Sequence, residues 1–198
     1  MINLNLQKNR ESLMSGFTIV EALFAIFILT FVIVGLMTVV SNSLFSARYA
    51  RDEITANYLS QEVVDYIRND RDTIVFLGGG NIEDKTWNGF VNKYENCQSE
   101  SGCYFNVLDT MNNSGMIKRC DIDGCPYLYY DADAKITPFY LEGDDDLDKT
   151  GKTLTKFIRK VKVTLNNDEM IVTVTVSWKN GSIPKERVLQ TSLTNWQK

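Results

Sequence analysis

Residues 17–47 read FTIVEALFAIFILTFVIVGLMTVVSNSLFSA, and no charged side chain occurs from Ala22 to Ala47. A span of ~20 apolar residues is enough to cross the hydrocarbon of a bilayer as a helix. At a rise of ~1.5 Å per residue the uncharged stretch would be about 39 Å long. The competing reading is a buried core helix, but the rest of the chain offers no second apolar layer to wrap one. The stretch therefore predicts a membrane-inserted helix. One residue interrupts it, Glu21, flanked by Ile19, Val20, Leu23 and Phe24. A carboxylate inside or beside a membrane costs on the order of a few kcal/mol and is usually functional. The plainer account is an acidic residue in a first helical turn, favoured by the helix dipole.

What precedes the stretch is as informative. Residues 1–16, MINLNLQKNRESLMSG, are mostly polar, carry Lys8 and Arg10, and end in Ser15-Gly16. A secretory signal runs in the other order, with a basic start, a short apolar stretch and a small-residue cleavage site after it. Here the nearest small-x-small candidate on the far side is Ser41-Asn42-Ser43, behind a stretch too long for a signal peptide. Cleavage at Gly16 would remove a cytoplasmic leader and leave the helix attached.

Downstream, no proline or glycine occurs between Gly35 and Gly78. Ala56, Leu59, Val63, Tyr66 and Ile67 recur at helical spacing and form one apolar stripe. Arg51, Asp52, Glu62, Asp65 and Arg68 fall mostly off it, and Asp65 and Arg68 stand at an i,i+3 spacing that allows a pair. The pattern predicts one continuous helix from Phe17 to about Asn69. The run Gly78-Gly79-Gly80 lacks the Gly-Lys-Ser/Thr of a phosphate loop and reads as an exit from the helix.

The remainder reads as a β-rich head. Residues 81–135 are rich in Asn, Asp, Ser and Gly, with short strand-like pieces at Tyr104–Leu108 and Tyr127–Tyr130. Later, Phe157, Val161, Val163 and Leu165 share one parity. Met170, Val172, Val174, Val176 and Trp178 alternate with Ile171, Thr173, Thr175 and Ser177, and Leu189 and Leu193 share a face. Asn166-Asn167-Asp168 and Asn180-Gly181 are hairpin turn signals. A three-stranded antiparallel meander with one apolar face, covered by the helix stripe, is an α+β layer architecture.

At this point SGFTIVEALFAIFIL, residues 15–29, resembles the class III signal of prepilins and pseudopilins: Gly, then Phe, then a helix with Glu four residues past the new first residue. The stretch ANYLSQEVVDYIRNDRD and the ending VSWKNG…VLQTSLTNW are similar to minor pilins of the pilus-modification type. The resemblance implies cleavage between Gly16 and Phe17 by a prepilin peptidase, N-methylation of Phe17, and a docking role for Glu21, which would neutralise a neighbouring subunit's new amine. It implies as partners other pilin subunits through the N-terminal helix, an inner-membrane assembly platform, and membrane lipid before assembly. The chain would be a single-pass protein with a cytoplasmic N-terminus and an exported head, ending in a surface or periplasmic filament. Four parts follow: leader 1–16, transmembrane and filament-core helix 17–47, amphipathic continuation 48–77, exported head 78–198. The chain departs from many major pilins in having no proline in the apolar helix; the first is Pro126. Gly35, with ~1 kcal/mol lower helix propensity than Ala, is its only obvious weak point.

Cys97, Cys103, Cys120 and Cys125 all fall in the head, and four exported cysteines favour two disulfides. The spacings C-x5-C and C-x4-C fit a four-cysteine zinc site poorly. Of three pairings the local ones, Cys97–Cys103 and Cys120–Cys125, are preferred because QSESG and DIDG read as turns. Asp144, Asp146 and Asp148 have calcium-loop spacing, but Gly151 comes too late and no Glu stands at the bidentate position, so a solvated acidic loop is expected. The chain has no histidine and a formal net charge of −4. The first removes His-based triads and His-ligated zinc; the second gives no sign of a nucleic-acid surface. No catalytic, cofactor or metal residue is expected. The leading expectation is a minor pilin or pseudopilin in a type IV pilus-like filament. The alternative is a single-pass anchored binding or adhesion protein with an extracytoplasmic head.

Overall fold

The computed structural model describes residues 18–77, 87–106, 117–131, 139–142, 150–167 and 169–195. Its first element is one uninterrupted α-helix, α1, Ile19–Leu77. Two compact units divide it, Met1–Arg48 and Tyr49–Lys198. In the second unit α1 packs on an antiparallel sheet, so the protein is α+β.

The predicted stripe is the packed face: Ala56, Leu59, Val63, Tyr66 and Ile67 are all buried. The helix runs on past the predicted end near Asn69. No breaker precedes Gly78, the Thr73 hydroxyl donates to Asn69 O at 2.7 Å, and Ile74 packs against the core. Beyond it lie a short helix α2, Trp87–Lys93, and a 3₁₀ turn, Glu95–Gln98, neither of them expected. Their burial follows from Trp87, Phe90 and Tyr94 at spacings of three and four, which stack in sequence at 5.5 and 5.3 Å between ring centroids.

Asp70 of α1 holds this connection down. Its Oδ1 accepts from Lys93 Nζ at 2.7 Å and its Oδ2 from the Tyr94 hydroxyl at 2.9 Å. Burial first, and then the Asp70 carboxylate, push the Tyr94 hydroxyl well above its ordinary 10.0. The unfolded chain therefore gives up this proton at a lower pH than the folded one, and folded-state stability falls as pH rises above ~10. Tyr94→Phe lacks both the titration and the hydrogen bond. Wild type is expected to be more stable by ~1 kcal/mol at neutral pH. The gap should narrow from about pH 10 upward, as read from urea midpoints of the two proteins; a constant gap would refute the linkage.

Among the described residues the sheet has seven strands, the expected three-stranded meander joined by four shorter ones. They are β1 Cys103–Tyr104, β2 Lys118–Arg119, β3 Tyr127–Asp131, β4 Phe139–Glu142, β5 Thr153–Asn166, β6 Glu169–Asn180 and β7 Ile183–Thr194. The long meander β5–β6–β7 is its frame. The far side of β5 takes β1 at Val161 and β3 from Ile158 to Thr153. β2 then pairs with β1, and β4 with β3. Both hairpin turns need left-handed backbone, and Asn167 at φ 53° and Gly181 at φ 61° supply it. Of the predicted strand at Tyr104–Leu108, Tyr104 lies in β1 and Phe105, past its end, is buried; Val107 and Leu108 lie outside the described residues.

The parity reading of β6 holds in full, from Met170 to Trp178. That of β5 needs two corrections. Leu165, at the hairpin end, is 41 % exposed although its cross-strand partner Met170 is buried. Between Phe157 and Val161 the same face carries Arg159, which is 1 % exposed. Its Nη1 donates to Glu62 Oε2 at 2.7 Å and to Leu59 O at 3.3 Å on α1. Rim bonds tie the same two layers: Lys156 to Asp52 at 2.5 Å, Arg187 to Asn57 at 2.9 Å and Arg68 to Thr191 at 2.9 Å.

Candidate functional site

In the first unit the site is a surface. From Ile19 to Phe45 the large apolar side chains of α1 are exposed, Phe31 to 75 %. Each gains ~1.5–3 kcal/mol on leaving water, so the segment is driven into lipid or against other helices. α1 is long and apolar enough to cross a membrane once. Between Ala22 and Val40 the only polar side chains are Thr30 and Thr38. Both fold back on the helix, Thr30 Oγ1 donating to Phe27 O at 2.8 Å and Thr38 Oγ1 to Val34 O at 3.0 Å. No hydroxyl donor is thus left facing hydrocarbon, where an unmet polar group is costly. At ~1.5 Å per residue this clean stretch is about 28 Å long, the thickness of a bilayer core.

Glu21 stands at one rim of that stretch and Ser41-Asn42-Ser43 at the other. Glu21 is exposed and lies in the first turn of α1. Its backbone N–H donates to Thr18 Oγ1 at 3.2 Å, and Ala22 N to Thr18 O at 3.1 Å. That is N-cap geometry with Glu three positions after Thr. The pattern Thr18-x-x-Glu21 is the sequence signal for this cap. Gly16 and Phe17 lie outside the described residues.

In the second unit the cysteines are all bridged, Cys97 to Cys103 and Cys120 to Cys125, with Cα–Cα distances of 4.6 Å in both. No thiolate remains for zinc. Each bridge closes a turn: Gly102 N donates to Ser99 O at 3.0 Å, Gly124 N to Asp121 O at 3.0 Å. Gly102, at φ 74°, lies so close to Val161 O that an added Cβ would sit 2.7 Å away, so glycine is required there. The two staples adjoin, since Cys103 pairs with Arg119 and Cys120 N donates to Gly102 O at 3.0 Å. A loop this short is worth ~2 kcal/mol per bridge in chain entropy. Asp144, Asp146 and Asp148 lie outside the described residues.

Asp65 and Arg68 form the expected pair, at 3.7 Å and largely in solvent. Glu62 instead meets Arg159, a partner from β5 that helix spacing alone does not reveal. Comparison with protein-family models, curated proteins and solved structures gave no match.

Proposed function

We propose that this chain is the precursor of a type IV pilin-like filament subunit, of the minor-pilin or pseudopilin kind. One observation carries the reading: a single helix serves two solvents. Its first part presents a lipid-length apolar surface with one carboxylate at the entry rim, and its second part seals the core of a head that bears two disulfides. Disulfides belong to an oxidising compartment, which supports an exported head and a cytoplasmic leader. On this reading a prepilin peptidase cuts between Gly16 and Phe17, Phe17 is N-methylated, and the freed helix passes from lipid into a filament core through the assembly platform. Glu21 then neutralises the amine of a neighbouring subunit. An anchored adhesion or binding protein would also need a helix and a head, but not the Gly16-Phe17-Glu21 constellation.

Mass spectrometry of the mature protein tests this. The expected N-terminus is Phe17, carrying one methyl group. An intact Met1 in assembled protein would overturn the reading and favour the anchored alternative.

A further inference from the structure

Single exposed apolar residues are common and mean little. Ile122 differs in how firmly it is held out. It is 104 % exposed, as open as a side chain can be. It sits at the tip of the loop closed by Cys120–Cys125, which an Asp121–Gly124 bridge narrows further. Gly124 at φ 111° makes that turn. The loop is rooted in β2 at the sheet edge and braced by the neighbouring Cys97–Cys103 staple. Asp121 and Asp123 flank the isoleucine and are themselves exposed. A knob ordered in advance loses little entropy on binding, which is what makes an exposed anchor effective.

The opposite edge of the same sheet carries a hole. Across the head the strands run β2-β1-β5-β6-β7, and among the described residues β7 pairs only with β6. A groove of ≈ 290 Å³ lies between α1 and β7, lined by Val64, Asp65, Arg68, Leu189, Gln190 and Thr191. Val64 and Leu189 give it an apolar floor. Arg68 stands at the rim, held by its bond to Thr191, and half of its side chain is open to solvent. Asp65, 3.7 Å from the Arg68 guanidinium, offsets that charge, while Lys185 over the Tyr49 ring and Arg187 bonded to Asn57 carry positive charge farther along β7.

Knob and hole are about four strand spacings apart, ~19 Å, on opposite edges of one rigid sheet. Ile122 therefore cannot fill the groove of its own chain. We propose that Ile122 of one copy seats between Val64 and Leu189 of a second copy, with Asp121 or Asp123 against the Arg68 guanidinium. Such a contact is heterologous: each copy offers its knob to one neighbour and its hole to another, so repetition builds an open array rather than a closed pair. The inference deepens the filament reading, and rests on it for the ordering of many copies.

The test uses the full-length chain in the membranes of producing cells, with the photo-crosslinker p-benzoylphenylalanine at Gln190 in the groove. The expected product is a ladder of covalent multimers whose adducts map to the peptide containing Ile122. Ile122→Asp should lower the yield at least tenfold. Arg68→Asp should also lower it, and adding Asp121→Arg with Asp123→Arg should restore it, a rescue that a folding defect would not give. Absence of adducts would overturn the contact, as would adducts confined to lipid, to another protein or to the chain's own loops. So would a yield indifferent to Ile122→Asp. The N-terminus is read from the same sample. Phe17 first without the groove adduct refutes only the contact; Met1 first with the adduct refutes only the filament reading.

Discussion

Glu62→Ala is expected to destabilise the head by ~3–5 kcal/mol, at the low end of that range, whereas Arg159→Met is expected to be close to neutral. The asymmetry comes from which charge is left behind. The Arg159 side chain is 1 % exposed and the Glu62 side chain 35 %. Removing Glu62 takes from a guanidinium sealed between β5 and α1 the shorter of its two bonds to α1, the other being to Leu59 O at 3.3 Å. Removing Arg159 leaves a carboxylate that turns out to water, while methionine fills the stem's place beside Phe157 and Val161. The double variant Glu62→Ala/Arg159→Met should accordingly recover most of the loss of Glu62→Ala. Urea unfolding of detergent-solubilised protein with intact disulfides measures this, with Trp178 in the core as one of three tryptophan reporters. Equal costs for the two single variants, or no recovery in the double, would show that the pair is not the source of the effect. If the pair also fixes how the helix seats on an otherwise apolar sheet face, Arg159→Met should keep the midpoint yet speed amide exchange along residues 56–67 of α1.

That pair marks where reading the sequence ran out. The helix stripe and the β6 face were legible because each is a local period, of 3.6 or 2, with its apolar residues all in phase. Arg159 is in phase too, but a charged residue at a core position is passed over when only apolar letters are counted. Its partner lies 97 positions away, and no local spacing encodes that. The hairpins were legible from Asn167 and Gly181, whose turns require positive φ. Of the short strands, β1 was legible only as the start of a piece at Tyr104–Leu108, and β2 and β4 were not legible, because two to four residues cannot establish a period; their place is set by pairing, β1 on β5, β2 on β1 and β4 on β3. In α2 a signal did exist, the aromatic spacing of Trp87, Phe90 and Tyr94, but the surrounding Asn and Gly masked it. The staples themselves were readable from turn residues between the cysteines. What no part of the sequence disclosed is that the Cys120–Cys125 turn holds Ile122 fully in solvent.

Glu21→Gln separates the two accounts of the carboxylate, and it is expected to abolish filament incorporation as fully as Glu21→Ala. The observed geometry gives the plainer account real support, since the Glu21 N–H bonds to Thr18 Oγ1 at 3.2 Å and the residue occupies the third position of the first turn. Glutamine serves that position nearly as well as glutamate, so a capping role predicts that Glu21→Gln is tolerated and that Glu21→Ala costs only ~0.3–1 kcal/mol. The docking role predicts otherwise. Glutamine keeps the shape and the acceptor but not the charge, and leaves the amine of a neighbour's Phe17 unneutralised in a low-dielectric filament core. Stranding a buried charge costs ~3–5 kcal/mol, a loss of about a hundredfold or more in incorporation. Neither variant should hinder insertion, because removing a carboxylate makes the helix more apolar, and neither touches the Gly16-Phe17 junction. The measurement is the amount of each variant in membranes, its processed fraction, and its presence in sheared filaments beside wild-type partners. Normal incorporation of Glu21→Gln with a modest defect in Glu21→Ala would return Glu21 to the helix cap. A subunit at the leading tip has no neighbour ahead of it and would tolerate either change, so the variants must also be located along the filament.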